Sequence, residues 1–111
     1  MIRLLLAVAV LTPLAACHDD GPDDVVGASC RDDYDCYDRC EQGSEFPDGF
    51  CTLSCRDDRD CTADTICVDE RDGICLYTCD LDRHCDFLGG GYYCYGRTDI
   101  YGDSVGVCIG E

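Results

Sequence analysis

The chain carries one seven-residue loop three times, first as Cys30-Arg31-Asp32-Asp33-Tyr34-Asp35-Cys36. The second copy is Cys55-Arg56-Asp57-Asp58-Arg59-Asp60-Cys61, and the third is Cys79-Asp80-Leu81-Asp82-Arg83-His84-Cys85. Each copy opens a quartet of cysteines that ends in a glycine, an apolar residue and a cysteine. The quartets lie at positions 30, 36, 40 and 51, then 55, 61, 67 and 75, then 79, 85, 94 and 108. A repeat this regular predicts three tandem units, each built on four cysteines.

The composition places the chain among disulfide-rich proteins. It has 13 cysteines in 111 residues, a proportion typical of a disulfide scaffold in a short secreted chain. Acidic residues outnumber basic ones 24 to 8, so the formal net charge is −16. Such a charge argues against binding nucleic acid or anionic lipid head groups, because both need a basic surface.

The predicted fold is small and disulfide-rich, with short β-hairpins and turns and little regular secondary structure. We place unit 1 at residues 30–54, unit 2 at 55–78 and unit 3 at 79–111, stacked like other short repeats. Each unit is too short to fold on apolar burial alone and depends on its disulfides. In unit 3, the segments 92–95 and 105–108 predict a hairpin that turns at Gly102-Asp103-Ser104.

Aspartates near the start of each unit have a structural role available to them. Asp32, Asp57 and Asp80 are placed to cap a helical turn that leads to the second cysteine. The glycine before each fourth cysteine suits a tight turn into a short strand.

The N-terminus predicts export. Residues 1–16 combine a short basic start with an apolar run of eight residues, which fits a signal peptide and is too short to span a bilayer. The segment that follows, Leu14-Ala15-Ala16-Cys17, resembles the lipobox of bacterial lipoproteins. This resemblance implies that Cys17 is lipidated, becomes the first mature residue and anchors the protein in a membrane.

The mature chain then begins with a tether. Residues 17–29 have no apolar periodicity and are rich in aspartate, so we expect a lipidated cysteine followed by a flexible acidic linker. His18 follows Cys17 where an inner-membrane lipoprotein of the enteric pattern has aspartate, which favours the outer membrane or cell surface. Without Cys17, 12 cysteines remain, an even number that can all pair in an oxidising compartment.

The spacing Cys30-x5-Cys36-x3-Cys40-x10-Cys51 resembles the finger of the Dickkopf N-terminal and colipase-like cysteine-rich modules. The C-x-x-D-x-D-C opening is similar to Dickkopf-type repeats of lipoproteins from GC-rich bacteria. The third unit departs from this pattern, since His84 replaces the second aspartate and the last loop is longer. The resemblance implies no enzymatic activity, and it implies that the first cysteine pairs with the third and the second with the fourth. The implied bonds are Cys30–Cys40, Cys36–Cys51, Cys55–Cys67, Cys61–Cys75, Cys79–Cys94 and Cys85–Cys108.

Metal binding and catalysis have weaker signals. Zinc needs free thiolates, which export oxidises. Three D-x-D pairs are candidate calcium ligands, because hard cations bind clustered carboxylates; they are Asp33 and Asp35, Asp58 and Asp60, and Asp80 and Asp82. The only histidines, His18 and His84, frame no catalytic triad, so we expect neither an enzyme nor a cofactor.

The sequence therefore favours a lipid-anchored, non-catalytic surface module that is structural or binds an unknown protein partner. One alternative is a disulfide-stapled protease inhibitor or secreted effector that inserts the loop Tyr95–Val107, although Gly96, Gly102 and Gly106 predict that this loop is loose. A calcium-dependent adhesion module is a second alternative. The seven tyrosines predict either a small core packed on the disulfides or an exposed binding face.

Overall fold

The structure is a computed structural model, and it describes residues 25–111. The predicted signal peptide (1–16), the lipidation residue Cys17 and the part of the tether up to residue 24 lie outside the described residues.

Each unit consists of one short 3-10 helix followed by one antiparallel β-hairpin. The elements are η1 (Asp33–Asp35), β1 (Arg39–Glu41), β2 (Phe50–Thr52), η2 (Asp58–Asp60), β3 (Thr65–Val68), β4 (Ile74–Tyr77), η3 (Asp82–Leu88), β5 (Tyr93–Thr98) and β6 (Ser104–Ile109). The hairpins β1–β2, β3–β4 and β5–β6 form three separate two-stranded sheets. The predicted fold class, with small four-cysteine units and short hairpins, is confirmed.

Six disulfide bonds join all 12 cysteines of the described residues, and none links two different units. The bonds are Cys30–Cys40, Cys36–Cys51, Cys55–Cys67, Cys61–Cys75, Cys79–Cys94 and Cys85–Cys108. These are the pairs that the resemblance to the cysteine-rich finger implies. In every hairpin the third and fourth cysteines are opposite each other across the two strands. Each of these two cysteines belongs to a different disulfide, so both disulfides of a unit are attached to the hairpin at adjacent residues.

The long hairpin of unit 3 forms as predicted, but it is not loose. Six residue pairs are in register from Tyr93–Ile109 to Thr98–Ser104, and Gly96 lies opposite Gly106. At the tip, the side chain of Asp99 accepts hydrogen bonds from the backbone N–H groups of residues 101 and 103. The glycine content suggested a loose loop, and that expectation is wrong because two of the three glycines lie in paired strands.

The extra length of this hairpin brings its tip back to unit 2. The N–H of Asp69 donates to the carbonyl of Thr98 at 2.9 Å, and the N–H of Ile100 donates to the carbonyl of Cys67 at 3.3 Å. The tip of unit 3 therefore covers the free edge of β3, which would otherwise expose unpaired backbone groups.

The three units share one core and are not a linear stack. Unit 1 binds unit 2 through the Thr52 hydroxyl, which donates to the carbonyl of Cys75 at 2.6 Å. Unit 1 also binds unit 3, since the N–H of Gly110 donates to the carbonyl of Glu45 at 2.7 Å. In a solenoid each repeat contacts only its neighbours. The predicted stacking is therefore wrong in this respect, because the first and last units meet.

The folded part begins earlier than the tether prediction allows. Val26 is fully buried, and its carbonyl accepts a hydrogen bond of 2.7 Å from the Tyr77 hydroxyl. The N–H of Gly27 donates to the carbonyl of Cys51, and the N–H of Cys51 donates to the carbonyl of Ala28. The flexible tether predicted over 17–29 is wrong for residues 25–28, which extend the hairpin of unit 1. The signal that was missed is the apolar pair at positions 25 and 26.

Candidate functional site

The aspartates of the three opening loops hold the backbone of their own units. The residue three positions after each first cysteine accepts a hydrogen bond from the N–H of the third cysteine of that unit. The pairs are Asp33 with Cys40 at 2.8 Å, Asp58 with Cys67 at 2.9 Å and Asp82 with Cys94 at 2.9 Å. The carboxylate thus joins the 3-10 helix to the hairpin at the point where a disulfide also crosses.

A second acceptor closes each loop, and here unit 3 uses a different residue type. Asp35 accepts from the N–H of Arg31 at 2.8 Å, and Asp60 accepts in the same way from Arg56 at 2.9 Å. In unit 3 the Nδ1 atom of His84 accepts from the N–H of Asp80 at 3.2 Å. His84 therefore accepts the same backbone hydrogen bond in unit 3 that Asp35 and Asp60 accept in units 1 and 2.

The capping prediction is correct in two units and wrong in the third. Asp32 and Asp57 cap their 3-10 helices, each accepting from the N–H two residues ahead. The hydrogen bond from the Arg59 guanidinium to Asp57 holds the pKa of this carboxyl below its usual value. In unit 3 the capping position is Leu81, not Asp80, because the cap lies two residues after the first cysteine.

The calcium candidates do not converge. Among residues 25–111, the groups of three potential metal ligands within 4.8 Å of one another consist of disulfide-bonded cysteines. Five of the six candidate aspartates accept backbone hydrogen bonds instead; they are Asp33, Asp35, Asp58, Asp60 and Asp82. The structure brings no carboxylate cluster of this kind together in the described part, and the sixth candidate, Asp80, offers its backbone N–H to His84.

Replacing Asp58 with alanine is expected to destabilise the protein by about 1–3 kcal/mol, because the N–H of the fully buried Cys67 then loses its acceptor. Asp58→Asn retains a side-chain oxygen and should cost less. Urea unfolding with the disulfides intact measures both variants. Equal losses for the two would show that the carboxylate charge, and not the hydrogen bond, carries the effect.

Ion pairs join the three units at their junction. Arg71 of unit 2 contacts Glu41 at 2.7 Å and Glu45 at 3.4 Å, both in unit 1. Arg97 of unit 3 contacts Glu45 at 3.6 Å and Glu70 of unit 2 at 3.3 Å. Glu41 is buried, and its charge is compensated by Arg39 at 2.5 Å and Arg71 at 2.7 Å, as a buried carboxylate requires. This network, which sequence spacing did not predict, links all three units through side-chain contacts.

The tyrosines divide between the two predicted roles. Tyr77 and Tyr92 are buried in the shared core, and burial raises the pKa of Tyr92, whose hydroxyl donates to the carbonyl of Pro47. Six large apolar or aromatic side chains are exposed within the described residues, and four of them belong to unit 3. They are Tyr34, Tyr37, Leu81, Phe87, Tyr93 and Tyr101.

Open clefts of mixed charge occur at the same repeat position in units 1 and 2. The larger has a volume of about 520 Å³ and is lined by Arg31, Asp35 and Asp48, among others. The smaller, of about 340 Å³, is lined by the equivalent residues Arg56, Asp60 and Asp72. The charged lining is therefore repeated between units 1 and 2, whereas Leu88 of unit 3 lines only the larger cleft.

Comparisons with protein-family models, with curated proteins and with solved structures find no match to this chain. No helix among residues 25–111 has the length and apolar character needed to cross a membrane.

Proposed function

We propose that the protein is a lipid-anchored, non-catalytic module of the cell envelope that binds a protein partner. The observation that carries the proposal is the use of the cysteines. All 12 cysteines of the described residues are consumed in six disulfides within their own units. The thirteenth, Cys17, stands in Leu14-Ala15-Ala16-Cys17, where small residues before a thiol suit lipidation.

The early start of the folded part supports a module held close to the membrane. Eight residue steps separate Cys17 from Val25, the first described residue, and a fully extended chain spans at most about 28 Å over that distance. Two or three acyl chains give stable anchoring, whereas one gives only marginal binding. His18 after the anchor residue favours the outer membrane or cell surface.

The side chains of the domain favour binding over catalysis, because the polar groups of the opening loops already have structural partners. The opening loops use their carboxylates and His84 Nδ1 as acceptors for backbone N–H groups. The disulfides and the ion pairs at the junction keep the exposed side chains on a rigid support, which lowers the entropic cost of binding.

Replacing Cys17 with serine is expected to release the protein from the membrane fraction, because serine has no thiol to accept the diacylglyceryl group. The native chain should partition almost entirely with membranes after a high-salt wash, and its intact mass should show loss of residues 1–16 plus a diacyl or triacyl addition. His18→Ser, which leaves the thiol in place, is the matched control and should remain membrane-bound. A mature N-terminus at any other residue would contradict the proposal.

A further inference from the structure

The 3-10 helix of unit 3 differs from those of units 1 and 2 in a way that the scaffold does not require. Leu81 occupies the capping position that Asp32 and Asp57 hold in the other units. A leucine side chain has no oxygen to accept the N–H that those aspartates bind, so unit 3 forgoes a stabilising contact. Leu81 is 47% exposed, which is high for a leucine side chain.

A second replacement lies on the same side of this helix. Phe87 is two residues after the second cysteine, where unit 1 has Asp38 and unit 2 has Ala63. It is 39% exposed, and its ring lies perpendicular to that of Tyr77, with 4.9 Å between the ring centroids. The contact with the buried tyrosine orients the ring while leaving part of it open to solvent.

Helix geometry brings these residues into one line. Side chains three apart eclipse each other in a 3-10 helix, and η3 runs from Asp82 to Leu88 with i to i+3 hydrogen bonds at both ends. Leu81, His84 and Phe87 are all exposed and therefore form one row, which we call the η3 stripe. The inward row of the same helix includes the fully buried Cys85.

The η3 stripe is held in place before any ligand arrives. His84 Nδ1 accepts hydrogen bonds from the backbone N–H groups of Asp80 and Leu81, each at 3.2 Å, and the Cys85–Cys108 bond ties the helix to β6. A preorganised apolar row loses little conformational entropy on binding.

We propose that the η3 stripe is a docking site for a basic segment of a partner protein, which places an apolar side chain between Leu81 and Phe87. The charge of the domain selects this occupant. Asp80 and Asp86 are exposed beside the stripe, and the chain as a whole carries 24 acidic and 8 basic residues. Lysine and arginine side chains on either side of the apolar contact would meet complementary charge.

The same charge disfavours the other occupants of an apolar row. A second copy of this chain would bring two acidic surfaces together, and anionic lipid head groups would be repelled. Arg83, the one arginine in the segment 80–88, is exposed beside the stripe, but the three exposed aspartates of the same segment, Asp80, Asp82 and Asp86, outnumber it. The local charge is therefore negative, like that of the whole chain.

The inference rests on the protein-binding part of the proposed function and is independent of the lipid anchor. The probe is a synthetic 12-residue peptide rich in lysine with a central Leu-Phe pair, titrated against the purified full chain and followed by fluorescence anisotropy. Amide chemical shifts of the labelled chain show where the peptide binds, and we expect the largest changes at residues 80–88. A matched peptide with serines in place of the Leu-Phe pair should bind about tenfold more weakly.

Two variants separate apolar contact from charge. Leu81→Asp restores the residue that units 1 and 2 use and should fold well, and Tyr101→Asp makes the same change of charge at the exposed tip of the long hairpin. Each adds one negative charge, which by electrostatics alone would tighten binding of a basic peptide. We expect Leu81→Asp to weaken binding about tenfold and Tyr101→Asp to leave it equal or slightly tighter.

Several results would overturn the docking proposal. These are absence of peptide binding, equal or tighter binding by Leu81→Asp, and equal binding of the serine peptide. Self-association of the chain that Leu81→Asp abolishes would assign the stripe to a second copy. Binding of Cys17→Ser to phosphatidylglycerol vesicles that depends on Leu81 would assign it to lipid. Release of Cys17→Ser from cell membranes reports on the anchor alone, so the two proposals can fail separately.

Discussion

Replacing Phe50 with alanine is expected to destabilise all three units together, by about 3–5 kcal/mol. Phe50 belongs to unit 1 and is fully buried, with its ring centroid 5.6 Å from that of Phe46 and 5.9 Å from that of Tyr92 in unit 3. The large cost follows from the cavity that alanine leaves where units 1 and 3 meet. Because the core is shared, the loss should appear as one cooperative transition.

Hydrogen exchange with the disulfides intact gives the clearest measurement, since it reports on each unit separately. Protection should fall by a similar free energy at the amides of Ile74 in unit 2 and Val107 in unit 3. Tyr34→Ala is the control, because that ring is 97% exposed and its loss should change stability by no more than about 0.5 kcal/mol. If only unit 1 lost protection, the three units would unfold independently despite their contacts.

Replacing Gly73 with alanine is the second change with a large expected effect, a loss of about 3 kcal/mol or more. Gly73 has a φ of 99°, a conformation that costs an L-residue about 1–2 kcal/mol. An added Cβ would also lie 2.4 Å from the carbonyl oxygen of Cys55, which is backbone and cannot move aside cheaply. The glycine before the fourth cysteine is therefore required by close approach to the first cysteine of its unit.

A control in the same chain separates the two causes. Gly102 has a similar φ of 91°, but an added Cβ there would meet nothing within 4 Å. Gly102→Ala should lower the free energy of unfolding only by the backbone strain, about 1–2 kcal/mol. Gly73→Ala should lower it further, because the added methyl group also collides with the backbone of Cys55. Urea unfolding of both variants measures the difference. A cost for Gly73→Ala no greater than that for Gly102→Ala would show that unit 2 can shift to accept the methyl group.

The glycine before each fourth cysteine is a feature whose position the sequence predicts and whose physical reason it does not. Glycine precedes the fourth cysteine in all three units, and the sequence predicts a tight turn there. Gly49 and Gly73 do have positive φ values. Gly106 instead lies within β6, yet its Cβ would be 2.4 Å from the carbonyl oxygen of Cys79. The shared reason is the approach of the first cysteine, which is a contact between distant residues and is invisible in the turn alone.

The η3 stripe could have been found from the sequence by comparing equivalent positions of the three units. The sequence predicts a cap at Asp80 because it is an aspartate near the first cysteine, but the caps of units 1 and 2 lie two residues after the first cysteine of their unit. Counting from the cysteine places Leu81 at that position and marks it as the exception in the repeat. Exposure of Leu81 and Phe87, and the contact of Phe87 with Tyr77, depend on the folded chain.

The sequence by itself determined the units, because what defines them is local. Short cysteine spacings limit which bonds close easily, aspartates act on N–H groups a few residues away, and alternating apolar residues pair in adjacent strands. Only the tertiary structure decided how the units meet. Contacts such as Gly110 with Glu45, Tyr77 with Val26 and Arg97 with Glu70 join residues far apart in the chain. Their partners are selected by the shape and charge of surfaces that exist only once each unit has folded, and no spacing within a repeat encodes them.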